Sequence, residues 1–145
     1  MNAFFKACVE ELETTTARQG RVYLHRQDSD GQEEFCCLGL FCLKYIELIG
    51  PLKVTKDVFR RRGSNPVAGV RYNGEESAMP PEVMKALGLQ THLGVYVKSD
   101  GSHSSLAIAN DTGHSFKQIA EIMKGVGPDE WYSYSGPDIH QKYEP

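Results

Sequence analysis

At 145 residues, with 40% hydrophobic and 24% charged residues, the chain has the makeup of one globular domain with a single core, not of a disordered tail. The formal net charge of −3 gives no overall attraction to nucleic acid or to an anionic membrane. Charge is unevenly spread: residues 35–74 hold seven Lys/Arg against two Asp/Glu, whereas 1–34 (four against seven) and 75–145 (five against ten) are acidic.

Residues 3–17 read as a helix, with Phe5, Cys8 or Val9, and Leu12 at helical spacing. The run Thr14-Thr15-Thr16 weakens its end, and Gly20 is a natural stop. Residues 21–26 alternate as a half-buried strand does, Asp28-Ser29-Asp30-Gly31 is a turn, and Glu33 to Cys37 returns as a hairpin partner. That turn resembles the start of a calcium loop, but the later oxygen ligands are not where the loop needs them.

Phe35 to Ile49 is the most apolar stretch, with twelve apolar residues in fifteen. Its charges, Lys44 and Glu47, share one narrow face, which is the pattern of a helix buried on most sides. At roughly 1.5 Å per residue the stretch spans about 20 Å, short of the roughly 30 Å of a bilayer core. It holds Cys36, Cys37 and Cys42, with no histidine near them in sequence to complete a zinc set. Cysteines in so apolar a run read as small core hydrophobes. The amino terminus runs into Glu10, Glu11 and Glu13 without a signal-peptide pattern, so the expectation is reduced thiols in a cytoplasm.

Gly50-Pro51 ends this helix. Residues 52–68 match no template, but they carry Lys53, Lys56 and Arg60-Arg61-Arg62, followed by Gly63-Ser64-Asn65-Pro66, a loop by composition. Guanidinium groups bind phosphates and carboxylates bidentately, and Ser64 and Asn65 add further donors. With Arg71, this is the candidate binding site; the competing reading is a solvated charged loop.

Gly69–Tyr72 reads as a short strand before the turn pair Asn73-Gly74. Pro80-Pro81 opens a helix that Gly88 caps. Leu93–Lys98 alternates before the hairpin signal Asp100-Gly101, and the residues around Leu106–Ala109 fit either a returning strand or a short helix. Ser115 and Gln118 form a capping box for a helix ending at Gly125. No second helix follows to make a helix-turn-helix. In the tail, Trp131, Tyr132, Tyr134 and Tyr143 are suited to a partner, to folding back on the domain, or to linking subunits by packing on a neighbour.

Three blocks together resemble small proteins of tailed bacteriophages and prophages. These are Gln19-Gly20-Arg21 with Leu24 and Arg26, then Phe35-Cys36-Cys37-Leu38-Gly39-Leu40-Phe41-Cys42, and then Leu106-Ala107, Asn110-Asp111, Gly113, Ser115-Phe116 and Ile119-Ala120. Pro80-Pro81-Glu82 through Gly88-Leu89 adds a fourth match, in the same order. The resemblance implies a phage origin and no catalytic residues, in a group whose members are often aimed at host systems.

The expected architecture is α+β: one antiparallel sheet of about four strands, with a central helix over 38–49 and two to three further helices on one side. Residues 1–125 form the domain and 126–145 an aromatic tail. The expected function is binding through the basic loop, without cofactor or metal: inhibition of a host (defence) protein or sequestration of a phosphate-bearing small molecule, in the infected bacterium's cytoplasm. The site residues are Lys56, Arg60, Arg61, Arg62, Ser64, Asn65 and Arg71, with Trp131 and Tyr132 from the tail. Two alternatives stand beside it: a cysteine hydrolase with His92, His103, His114 or His140 as base, and a nucleic-acid-binding regulator, disfavoured by the net negative charge. No membrane role is expected, and homo-oligomerisation is open.

Overall fold

The side chain of Asn2 accepts from the Phe5 N–H (2.7 Å) and caps α1 (Ala3–Thr14) in the computed structural model, which describes residues 2–132. α1 buries Phe4, Phe5, Cys8, Val9 and Leu12, the stripe its spacing predicts. It stops short of residue 17 because its threonines turn to local backbone. Thr14 Oγ1 donates back to the Glu10 carbonyl, and Thr15 Oγ1 accepts from the Ala17 N–H.

Five strands follow the order β1-β3-β2-β5-β4: β1 (Arg18–Gln19), β2 (His25–Gln27), β3 (Glu33–Phe35), β4 (Val54–Phe59) and β5 (Val67–Tyr72). The α+β expectation holds, but the sheet is mixed, because β1 runs parallel to β3 while the other neighbours are antiparallel. The expected strand over 21–26 starts only at His25. Val22 adopts a left-handed φ of 72°, which breaks the extended run before it. The unassigned stretch 52–68 holds β4 and the start of β5, and the two strands pair in one unbroken six-residue register. A separate hairpin joins β6 (Val95–Val97) to β7 (His103–Ser105).

α2 (Cys37–Leu48) is the expected central helix, in contact with α1, β3, α3 (Pro81–Leu87) and α4 (Leu106–Asp111). It is buried from Cys37 to Cys42, whereas Leu43, Ile46 and Leu48 in its second half are exposed. A Cβ at Gly39 would lie 1.8 Å from the Leu24 carbonyl oxygen, so only glycine lets α2 pass so close to that backbone. The ambiguity around Leu106 is settled by Ser105. It ends β7, and its hydroxyl accepts from the Ile108 N–H (3.0 Å), capping α4. α5 (Phe116–Gly125) carries the predicted capping box and packs Phe116, Ile119, Ala120 and Met123 inward. Among the described residues, no helix is long and apolar enough to cross a membrane.

Candidate functional site

Three of the four blocks that carry the sequence resemblance meet in space at Asn110, which is 1% exposed. Its Oδ1 accepts from the Cys37 N–H (3.1 Å) and Gln19 Nε2 (2.9 Å), and its Nδ2 donates to the Gly20 carbonyl (2.8 Å) and to Asp111 Oδ1 (3.2 Å). Asp111 Oδ1 also accepts from the N–H of Val22, the left-handed residue (2.9 Å). Gln19 Nε2 donates again, to the His114 carbonyl. One side chain thus ties α4 to the start of α2 and to the bend after β1. Such a fully paired buried amide fixes a fold and leaves nothing over for a ligand.

Burial also governs the cysteines. Cys8, Cys36, Cys37 and Cys42 are free thiols, all buried. Desolvation pushes Cys8 and Cys36 up to about 12 and raises Cys37 and Cys42 as well. A nucleophile needs the opposite shift and access to solvent. His114 Nδ1 lies against the Ala109 carbonyl and His103 packs on Tyr132, while His140 falls outside the described residues. Among the described residues, no three His, Cys, Asp or Glu side chains gather as metal ligands. The Asp28 turn is closed by its own backbone, with Asp28 Oδ1 accepting from the Asp30 and Gln32 N–H groups.

The histidine that sequence reasoning passed over is His25. Its Nε2 faces Glu33 Oε2 (2.7 Å), its Nδ1 faces the Tyr72 hydroxyl (2.9 Å), and its ring stacks on Phe35 at 4.2 Å. With the carboxylate accepting from Nε2–H, Nδ1 is left to accept from the Tyr72 O–H. This chain braces β2, β3 and β5. Its only sequence signal was a histidine and a glutamate on the two arms of a hairpin, diagonal to each other because His25 stands opposite Phe35 and Glu33 opposite Gln27, which common ion-pair patterns also produce.

The predicted basic residues belong to the β4–β5 hairpin, which separates them into groups. Arg60, Arg61, Arg62, Ser64 and Asn65 form its exposed tip, where the Ser64 N–H donates to the Arg61 carbonyl (3.1 Å). Among the described residues, no carboxylate lies within ion-pair distance of these three arginines. Arg71 is different. Its Nε donates to Asp57 Oδ2 (3.0 Å) and its Nη1 to Glu76 Oε1 (2.9 Å), so its charge is already matched. Lys56 pairs with Val70 and therefore projects from the face opposite Arg71, which is next along the strand. Lys53 lies at the far end, where its backbone is tied to Asn73.

On the Arg71 face a cation–aromatic stack runs up to the tip. Arg71 lies over the Phe59 ring (5.1 Å), Phe59 stacks on Tyr23 (4.7 Å), and Arg61 lies over Tyr23 (5.5 Å). Phe59 lies flat across Gly69, where a Cβ would meet its ring at 2.1 Å. The stack holds one tip guanidinium in place at a contribution of about 0.5–1 kcal/mol.

Trp131 and Tyr132 are not part of this surface. Trp131 packs edge-on against Phe5 and Tyr96, each at 5.9 Å, and the Tyr132 N–H donates to the Val95 carbonyl (2.9 Å). Of the readings of the tail aromatics, these two residues follow folding back on the domain. Tyr134 and Tyr143 lie outside the described residues. An open groove of about 250 Å³ between α1 and α2, lined by Glu11, Leu40, Leu43, Lys44 and Glu47, is bridged by the Lys44–Glu11 ion pair (3.1 Å). Comparison with family models, with curated proteins and with solved structures finds no match to the chain.

Proposed function

We propose that this is a small binding protein of phage type, working in the infected cell, which captures a partner bearing clustered negative charge through the tip of the β4–β5 hairpin. The phage origin rests on the sequence resemblance. The observation that carries the binding role is the exposed trio Arg60, Arg61 and Arg62, with no carboxylate partner among the described residues, beside an Arg71 that has two. Clustered guanidinium groups in solvent hold charge available for carboxylates or phosphates. Lys56, Ser64 and Asn65 add donors on the same hairpin, whereas the buried, up-shifted thiols weigh against a cysteine hydrolase.

The test is affinity capture from infected bacterial lysate by the native chain and by the triple variant Arg60→Ala, Arg61→Ala, Arg62→Ala. Co-purifying proteins and nucleotides are identified by mass spectrometry. The native chain should retain a partner that the triple variant loses and that moderate salt releases. Equal recovery by both proteins would remove the tip from the site.

A further inference from the structure

Resting on that reading, we propose that an extended acidic segment of a protein partner adds to the outer edge of β4 as a further strand of the sheet. β4 ends the strand order, so one of its sides is unpaired among the described residues. The Asn73 N–H donates to the Lys53 carbonyl (2.7 Å), which sets the alternation along the strand. Residues 53, 55, 57 and 59 address β5, and the backbone groups of Val54, Lys56 and Val58 point outward. Asp57 Oδ1 takes the Val58 N–H (2.7 Å), leaving the N–H groups of Val54 and Lys56 and the outward carbonyls open to a new strand.

The side chains at these positions say what the strand should carry. Val54 is 51% exposed and Val58 45% exposed, and they flank Lys56 on the face that Val70 and Tyr72 share. An added strand therefore meets an apolar–basic–apolar row. Its complement is an acidic residue between two apolar ones at alternate positions, since opposite charges across a ladder attract and apolar pairs pack. Past Val58 the row runs into the tip arginines, which suit further carboxylates on the same segment. A second copy of this chain fits less well. The two-fold register that sets Val54 against Val58 of the copy also sets Lys56 against its own counterpart, a like-charge pair.

The probe is a fluorescein-labelled peptide, Val-Thr-Glu-Thr-Val followed by three aspartates. It is compared with two versions N-methylated on one or the other alternate set of residues. Fluorescence anisotropy should show binding that falls at least about tenfold for one methylated set and survives in the other, because only one set turns its N–H groups to β4. Hydrogen exchange at Val54 and Lys56 should slow on adding the unmodified peptide, while Thr55 and Asp57, already bonded to β5, stay unchanged. Lys56→Glu should weaken the peptide about tenfold, with recovery when its central glutamate is replaced by lysine. If both methylated peptides bind like the parent while the triple arginine variant loses them, strand addition is wrong and charge capture at the tip stands. If the triple variant keeps the peptide and one methylated set abolishes it, the edge is the site and the tip reading falls. Absence of peptide binding at millimolar protein, or a dimer in sedimentation that itself protects Val54 and Lys56, overturns the inference.

Discussion

The Asn110 junction and the β4–β5 hairpin are both polar, and they use polarity in opposite ways. At the junction, one side chain that is 1% exposed joins segments up to 91 residues apart in sequence, and its donors and acceptors are occupied. At the hairpin tip, Arg60 to Asn65 are exposed and the backbone contact is local. The residues that carry the sequence signature went into holding the chain together. The residues able to meet a partner lie where the fold has left charge unmatched. A signature dense in Cys, Gly and Asn can thus mark a structural lock, and unsatisfied charge is the better pointer to binding.

That contrast predicts where substitutions hurt. The largest loss should follow Gly39→Ala, since a methyl 1.8 Å from the Leu24 carbonyl oxygen must push α2 off the sheet. A cost above about 4 kcal/mol is expected, read as failure to recover folded protein or a collapsed thermal transition. Asn110→Ala comes next. It strands the Cys37 N–H and the Gly20 carbonyl in a buried setting, for a loss of about 3 kcal/mol in urea denaturation. An Asn110→Ala protein as stable as the parent would mean the junction is ornamental, and the comparison drawn above would fail.

The hairpin should answer differently. Replacing Arg60, Arg61 and Arg62 together by alanine should move stability by no more than about 1 kcal/mol, chiefly through the lost Arg61–Tyr23 contact. The same thermal melts report this beside the capture assay. A large fall in stability would show that the tip is structural, and would blunt the distinction between the two regions.

How much of this was legible beforehand follows the range of the forces involved. α2, α5 and the helix over 81–87 were readable because capping, periodicity and Pro/Gly punctuation act within a few residues. β4 was not, because Val54 and Val58 on one face are exposed and Thr55 and Asp57 occupy the other, so no apolar alternation marks it. Its pairing with β5 is a tertiary fact. Composition groups the tip arginines as one basic cluster, but it could not set Arg71 apart from them. Its neutralisation depends on Asp57 across the ladder and Glu76 beyond a turn. Likewise the junction was visible only as three separate blocks; that Asn110 joins them needs the fold.

The smallest effect expected is also the one that probes the hairpin's internal electrostatics. The hydrogen bond from Arg71, and then the Val58 N–H, hold the Asp57 carboxyl below its ordinary value. A carboxyl depressed in the folded state stabilises fully above its unfolded-state pKa, and the gain is lost as pH falls through the folded value. Asp57→Asn keeps an oxygen for the Val58 N–H but removes the charge facing Arg71, which still has Glu76. The parent should therefore be slightly more stable than Asp57→Asn at neutral pH. The gap should close in acid, as the parent's carboxyl takes up its proton. Paired urea denaturations of the two proteins from neutral pH to about pH 2 measure that gap directly, because Asp28 and Asp100 are depressed in both and cancel. A gap that stays constant across the range would mean that the Asp57–Arg71 pair contributes through packing rather than charge. Arg71 would then rest on Glu76 alone for the match to its charge.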